Sequence, residues 1–290
     1  MFPEFIDTVP LRRAIDDGLN WIVRNWGDAF EATARPLLML LNAIEAILLA
    51  APWWLIIAVL AAIAWAATRR AVLPAIVVVS LILLGVMDLW RDSMITTALM
   101  VAATLSAIVI SIPLGILMAR SLWFRRVLAP VLDLMQTLPS FVYLIPTVMV
   151  FGPGKVPALL ATIVYASPPL IRLTDLGIRQ VDPAVIEASR AFGTNPSQRL
   201  FGVQLPLALP TILAGVNQTT MMALAMVVIA SMIGAGGLGY QVLQGIGRLE
   251  VSRGLFAGLG IVVLAIIFDR TTQSFGRRLQ QQIGLSEAAA

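Results

Sequence analysis

Seven stretches of fifteen or more residues carry almost no charge, and arginine or aspartate punctuates them along the chain. That alternation leaves few possible folds. A bilayer core of about 30 Å takes about 20 apolar residues as a helix, and helix is the default because each backbone amide must be satisfied internally in lipid. The stretches are 52–67, 71–87, 94–119, 127–151, 156–171, 207–233 and 254–268. We read each as a spanning helix. The fourth is interrupted by Pro130, Pro139 and Pro146, and the short fifth contains Pro168-Pro169. The expected fold is an all-α polytopic transmembrane bundle of about seven spans. Composition agrees, with 59% hydrophobic and 12% charged residues, against about 45–50% and 25% in soluble domains. Such an excess is too large for one buried core and excludes a soluble enzyme or a disordered tail. The absence of cysteine removes disulfides, thiol nucleophiles and thiolate metal sites. The absence of histidine removes the usual general base near neutral pH and the Ser-His-Asp triad.

Charge then sets orientation. Twelve arginines follow the odd-numbered spans: Arg69, Arg70, Arg120, Arg125, Arg126, Arg172, Arg179, Arg190, Arg199, Arg270, Arg277 and Arg278. Four basic residues follow the even spans (Arg91, Lys155, Arg248, Arg253), offset by Asp88, Asp92 and Glu250. Positive residues mark the cytoplasmic side of a membrane protein. The N-terminus is therefore expected outside and the C-terminus inside, and the net charge of +4 fixes topology instead of suggesting a nucleic-acid partner. Residues 1–51 hold seven acids, among them Glu4, Asp7 and Asp16, against four arginines, which suits the outer side. No apolar run precedes Arg12 and Arg13, so the first long apolar helix, and no cleaved signal, is expected to direct insertion. Residues 36–51 are apolar but short, with Asn42 and Glu45 on one face. A carboxylate at mid-helix costs ~2.5–3.5 kcal/mol on insertion scales, so this segment is expected to lie in the interface. If it spanned, the N-terminus would flip inside. Trp21, Trp26, Trp53 and Trp54 fit an interfacial belt. The chain divides into an external or interfacial segment, 1–51, a transmembrane domain, 52–275, and a cytoplasmic tail, 276–290.

One inner loop, within 172–206, exceeds thirty residues and is built like two helices. Asp182-Pro183 pairs a capping residue with proline at the first helical position, where a missing N–H does no harm. The helix runs from 183 to 192 and stops at Gly193. Asn195-Pro196-Ser197-Gln198 repeats the start signal as a capping box, and this second helix is expected to end near Gln204, before Pro206 begins the next span. A solvated loop with ordinary caps is one reading. Ala184, Ala188, Ala191, Leu200, Phe201 and Val203 favour docking against a partner.

Glu187-Ala188-Ser189, then Gly193, then Gln204-Leu205-Pro206 resembles the Glu-Ala-Ala loop of ATP-binding-cassette importer permeases, with Ser189 in place of the third alanine. Three further stretches resemble the branch that handles glycine betaine, proline betaine and choline: Gln136 to Pro146, Leu209 to Thr219, and Val227 through Gly239. The resemblance covers most of residues 70–275. It implies that the loop is a coupling element seated in a groove of a separate ATPase, with Glu187 and the Gly193 bend shaping it and Asn195, Pro196, Ser197, Gln198 and Arg199 nearest that partner. It also implies two ATPase copies, a second permease copy and a periplasmic or lipid-tethered substrate-binding protein. ATP and Mg would sit on the ATPase, with no cofactor on this chain; no G-x-x-x-x-G-K-[ST] phosphate loop occurs in the sequence. Gly193→Asp is expected to leave insertion intact and uncouple transport.

Gly234-Ala235-Gly236-Gly237-Leu238-Gly239 matches G-x-G-x-x-G, yet a membrane span precedes it instead of a strand. The glycines are read as ending the sixth span and letting an outer loop, 240–253, turn sharply. Polar residues within spans are costly in lipid and face a bundle interior. Gln136, Thr137, Ser140, Phe141 and Tyr143 on the fourth span, and Asn217, Gln218, Thr219 and Thr220 on the sixth, are the candidate substrate pathway. Helix–helix hydrogen bonding is the alternative use of such residues. No carboxylate sits securely inside a span, since Asp133 and Asp269 lie near cytoplasmic ends. Transport driven from another subunit is therefore favoured over a proton-coupled carrier. The function expected is the permease of an importer for glycine betaine, proline betaine or choline. An amino-acid permease, such as one for methionine, and an ion-coupled carrier are the rivals.

Overall fold

A computed structural model describes residues 9–282, and every element among them is helical. Glu4, Asp7 and the far end of the tail lie outside the described residues, as do the side chains of Arg12, Asp16, Arg277 and Arg278. The helices are α1 Val9–Ala50, α2 Trp53–Thr68, α3 Val72–Val86, α4 Trp90–Arg120, α5 Leu122–Thr137, α6 Leu144–Phe151, α7 Lys155–Arg179, α8 Pro183–Ala191, α9 Pro196–Arg199, α10 Leu205–Ala230, α11 Leu238–Gly247 and α12 Val251–Gln282.

Small residues let α4, α7 and α10 approach closely, which is how helices pack where lipid removes the hydrophobic drive between them. Ala98, Ala102, Ala103 and Ala107 of α4 and Ala158, Ala161 and Ala166 of α7 are buried in one cluster with Ala223 of α10. Gly115 faces Ile171 and Thr174, while Ser111 Oγ donates to Ser167 O at 3.4 Å, so α4 and α7 run parallel. Gly177 faces Ala208 and Thr211, and Gly215 faces Leu170 and Leu173, so α10 runs antiparallel to α7. Asn217 meets Asp269, and Gly276 faces Leu213, so α12 returns antiparallel to α10. The ends of α4, α7 and α12 and the start of α10 thus share one end of the bundle. Arg120, Arg172, Arg179 and Arg270 all lie at that end.

Several expected boundaries shift. Pro168 and Pro169 sit inside an unbroken 25-residue helix, so the expected fifth span extends to Arg179 and the inner loop shrinks. The seventh extends from Val251 to Gln282. The fourth is broken, with α5 bent by 115° from the segment Ser140–Phe151. Pro130 stays within α5, and the break falls at Pro139. α2 and α3 have 16 and 15 residues, only about 24 and 22 Å at 1.5 Å per residue. Among the described residues, five helices are long and apolar enough to cross a membrane, or six with the bent pair.

The largest departure is at the N-terminal side. The short interfacial helix expected at 36–51 is the final part of the 42-residue α1, whose stretch Val23–Ala50 is long and apolar enough to cross. Leu41 is buried against the α4–α7 cluster. The carboxylate cost weighed against insertion is offset, because Glu45 accepts two bonds of 2.6 Å from Lys155 Nζ at the start of α7.

Candidate functional site

The elbow between α7 and α10 is built from local signals. Asp182 Oδ1 accepts from Ala184 N at 2.8 Å and Pro183 opens α8. At the far end Gly193 N donates to Arg190 O and Thr194 N to Ser189 O, the paired bonds of a Schellman stop. Gly193 has φ +78°, the left-handed conformation that such a stop needs. Thr194 Oγ1 adds a 2.8 Å bond to Ser189 O. Asn195 Oδ1 then accepts from Gln198 N at 2.8 Å, and Gln198 Oε1 accepts from Asn195 N at 2.9 Å, which completes the expected capping box.

Beyond the box the second helix does not end. A π turn, Leu200–Gln204, joins α9 to α10, so residues 196–233 form one helical run with Pro206 in the first turn of α10. The last π bond, from Leu205 N to Leu200 O, falls just before Pro206, which has no N–H to continue the series. Leu200, expected to face a partner, turns inward against Leu170, Ile178, Ala208 and Ile212. The elbow is therefore rooted in the bundle. Ser189 is buried, while Glu187, Ala188, Asn195, Pro196, Ser197 and Gln198 are exposed, and Arg199 and Leu205 are half-buried. Phe201 is exposed, and Phe192, beside the bend, is 89% exposed. Phe192 was not singled out from sequence; an aromatic beside a helix-stop glycine in a polar loop was the available signal.

The pathway candidates separate into two groups. Thr219 Oγ1 donates across to Ala166 O at 2.9 Å, and Thr220 Oγ1 donates back to Val216 O at 2.9 Å. Asn217 Nδ2 donates to Asp269 Oδ1 at 3.2 Å. The Tyr143 hydroxyl donates to Met135 O, and its ring meets Tyr165 edge-on at 5.6 Å. Thr219, Asn217 and Tyr143 tie separate elements together, while Thr220 is buried and bonds only its own helix. Gln136, Thr137, Phe141 and Gln218 are exposed and Ser140 half-buried, free of that duty toward neighbouring helices. Thr137 Oγ1 bonds only its own helix, at Leu134 O. Phe141, 53% exposed, lies in the short 3-10 turn at the break after Pro139.

The glycine run is a turn, as expected. Gly237 has φ +77°, and a Cβ there would lie 2.4 Å from Thr96 Oγ1, so the turn is closed against α4 at this point, where Leu238 N donates to Thr96 Oγ1 at 2.9 Å. In place of the expected loop over 240–253, the chain forms α11 and the first turn of α12, crossing where a Cβ on Gly245 would meet Gly254 N at 2.5 Å. Gln241 ties this hairpin to the bundle, donating to Asp92 Oδ2 at 2.6 Å and accepting from Arg253 Nε at 2.8 Å.

Residues 111–281 match the family model described as "Binding-protein-dependent transport system inner membrane component". The chain is 51% identical over 269 residues to the glycine betaine/proline betaine transport system permease protein ProW of Escherichia coli (strain K12), covering 93% of this chain and 76% of that relative. It is 42% identical over 266 residues to the glycine betaine transport system permease protein OpuAB of Bacillus subtilis (strain 168), covering 92% and 94%. To the choline transport system permease protein OpuBB of the same organism it is 31% identical over 177 residues, covering 61% and 82%. A solved structure of the MetNI methionine ABC transporter in an inward-facing conformation shares the fold, with TM-score 0.60 and 24% identity, covering 66% of this chain and 95% of that one.

Proposed function

The chain belongs to the family of binding-protein-dependent transport system inner membrane components, and from that premise we propose that it is the permease of an ATP-driven importer for a quaternary ammonium compatible solute. Membership makes it a multi-pass inner-membrane transport subunit that works with an ATPase and a substrate-binding protein, and not an enzyme. Glycine betaine, proline betaine or choline is the proposed cargo, in keeping with the names of its relatives.

The observation that carries the mechanism is the capped elbow, continuous with α10 and rooted through Leu200. A stiff double helix transmits a push that a floppy loop would dissipate. Two motor subunits, holding ATP and Mg, would grip it at Glu187, Ala188, Gly193 and Asn195 to Arg199, with Ser189, Leu205 and Pro206 fixing its roots. Closure of the motors would then move α7 and α10 together, because these helices pack at glycines. A second copy of this chain would complete the path, with Gln136, Thr137, Ser140, Phe141 and Gln218 lining it and Tyr143, Asn217, Thr219 and Thr220 holding its walls. A quaternary ammonium offers no donor and a diffuse charge, so an aromatic face such as Phe141 suits its passage. The permease domain would occupy 52–275 with the tail, 276–290, inside; residues 1–51 lying external or interfacial would place the N-terminus outside, and a crossing by Val23–Ala50 would place it inside with the tail. The far end, with the glycine turn and α11, would meet the substrate-binding protein, periplasmic or tethered.

Reconstitution in nanodiscs with the motor and binding protein tests this reading. Glycine betaine should stimulate ATP hydrolysis, and choline or proline betaine, but not methionine, should compete for uptake. Gradient-driven uptake by this chain alone in vesicles would contradict it.

A further inference from the structure

At the arginine-rich end lies one buried carboxylate that neither the elbow nor the pathway uses. Asp175 is 4% exposed and sits one turn before the end of α7. Its Oδ2 faces Arg125 Nε of α5 at 3.4 Å, and its Oδ1 faces Arg179 Nε at 3.2 Å. Neither approach is a well-directed hydrogen bond, and the buried Oδ1 has none. A second ion pair of opposite sense, Asp133 of α5 with Arg172 of α7, lies two turns further along α5. Arg172 Nη2 also donates to Ala129 O at 3.5 Å. The two pairs fix one register, because sliding α5 along α7 in one direction would bring Arg125 toward Arg172, and in the other would bring Asp133 toward Asp175.

The places of the two guanidinium groups matter. Arg179 is the last residue of α7, and α8 of the elbow begins at Pro183. Arg125 belongs to the helix that ends at the 115° bend carrying Phe141. Simple packing of α5 on α7 needs no buried charge, since apolar side chains of similar volume hold helices at least as well without the cost of desolvation. A weakly directed carboxylate between two cations can pass from one to the other as they move.

We propose that Asp175 is a positioning residue for transport, sharing its charge between Arg179 at the root of the elbow and Arg125 on α5, so that displacement of the elbow shifts α5 and the bend at Pro139. This rests on the coupling role proposed above. Arg125→Gln leaves Asp175 paired with Arg179, so the carboxylate keeps a counter-charge. In the assembled complex, ATP hydrolysis should stay within about two-fold of wild type while solute moved per ATP falls about ten-fold, the scale on which single residues modulate coupling. Arg125→Lys should restore most of the ratio. Asp175→Asn should give the same split; should it fail to assemble, Arg125→Gln decides. Proportional loss of uptake and hydrolysis in Arg125→Gln, or loss of neither, overturns the proposal. A wild-type complex without solute-stimulated hydrolysis overturns the importer reading instead.

Discussion

The bend in the elbow depends on one backbone angle, at Gly193. Open space surrounds its Cβ position, with nothing within 4 Å, so bulk is no obstacle there and the left-handed φ of +78° is. A side chain with Cβ costs about 1–2 kcal/mol in that region, asparagine the least. Gly193→Val should insert normally and lose coupled uptake, while Gly193→Asn should stay near wild type; uptake normalised to membrane level checks both. Two neighbours on α10 separate wall from path. Thr219→Val removes the interhelical bond to Ala166 O and should lower thermal stability by about 0.6 kcal/mol, the mean for such bonds in membranes, without changing the KM for uptake. Gln218→Ala, at an exposed position, should shift that KM and leave stability unchanged. If the two variants trade phenotypes, the division of the candidate pathway is wrong.

Among elements, α1 depends most on a distant partner. Its Glu45–Lys155 contact joins residues 110 apart in sequence. Lys155→Gln should free α1 from the start of α7 at a cost of ~1.5–3 kcal/mol, the range for hydrogen bonds to charged groups. Faster proteolysis of the variant within α1 would report it, and the exchange Glu45→Lys with Lys155→Glu should restore protection. That contact also explains what could and could not be read in the chain. Asp182-Pro183, Gly193 and the Asn195–Gln198 box each act within a few residues, so the caps and the bend of the elbow are legible almost to the residue, while its start at Arg179 and its continuation into α10 are not. The interfacial reading of 36–51 rests on the cost of a lone carboxylate, and nothing near Glu45 in sequence announces Lys155. Asp175 escapes a sequence reading for the same reason, since Arg125 lies fifty residues away. Pro139 and Pro168 look alike as letters. Only the first falls at a break; Pro168 and Pro169 stay buried inside α7, where Ser111 of α4 and Thr219 of α10 bond the adjacent carbonyls of Ser167 and Ala166 and hold that stretch between them.

At the scale of the whole molecule, the alternation of apolar runs and arginines specifies a polarised bundle. The parallel course of α4 and α7 and the return of α10 and α12 gather the arginine-rich ends on one side. The elbow projects from that same end, which is what a push from a cytoplasmic motor requires. Sequence periodicity alone could not give the depth of α2 and α3, because apolar helices of 16 and 15 residues fit either a thin crossing or a packed hairpin. The natural absence of cysteine makes the central claim directly measurable. Gln198→Cys, exposed at the tip of the elbow, would be the chain's one thiol. In intact cells it should resist a membrane-impermeant thiol reagent, react once the inner face is opened, and cross-link to the ATPase in the assembled complex. Labelling from outside, or an assembled complex without that cross-link, would contradict the coupling role of the elbow.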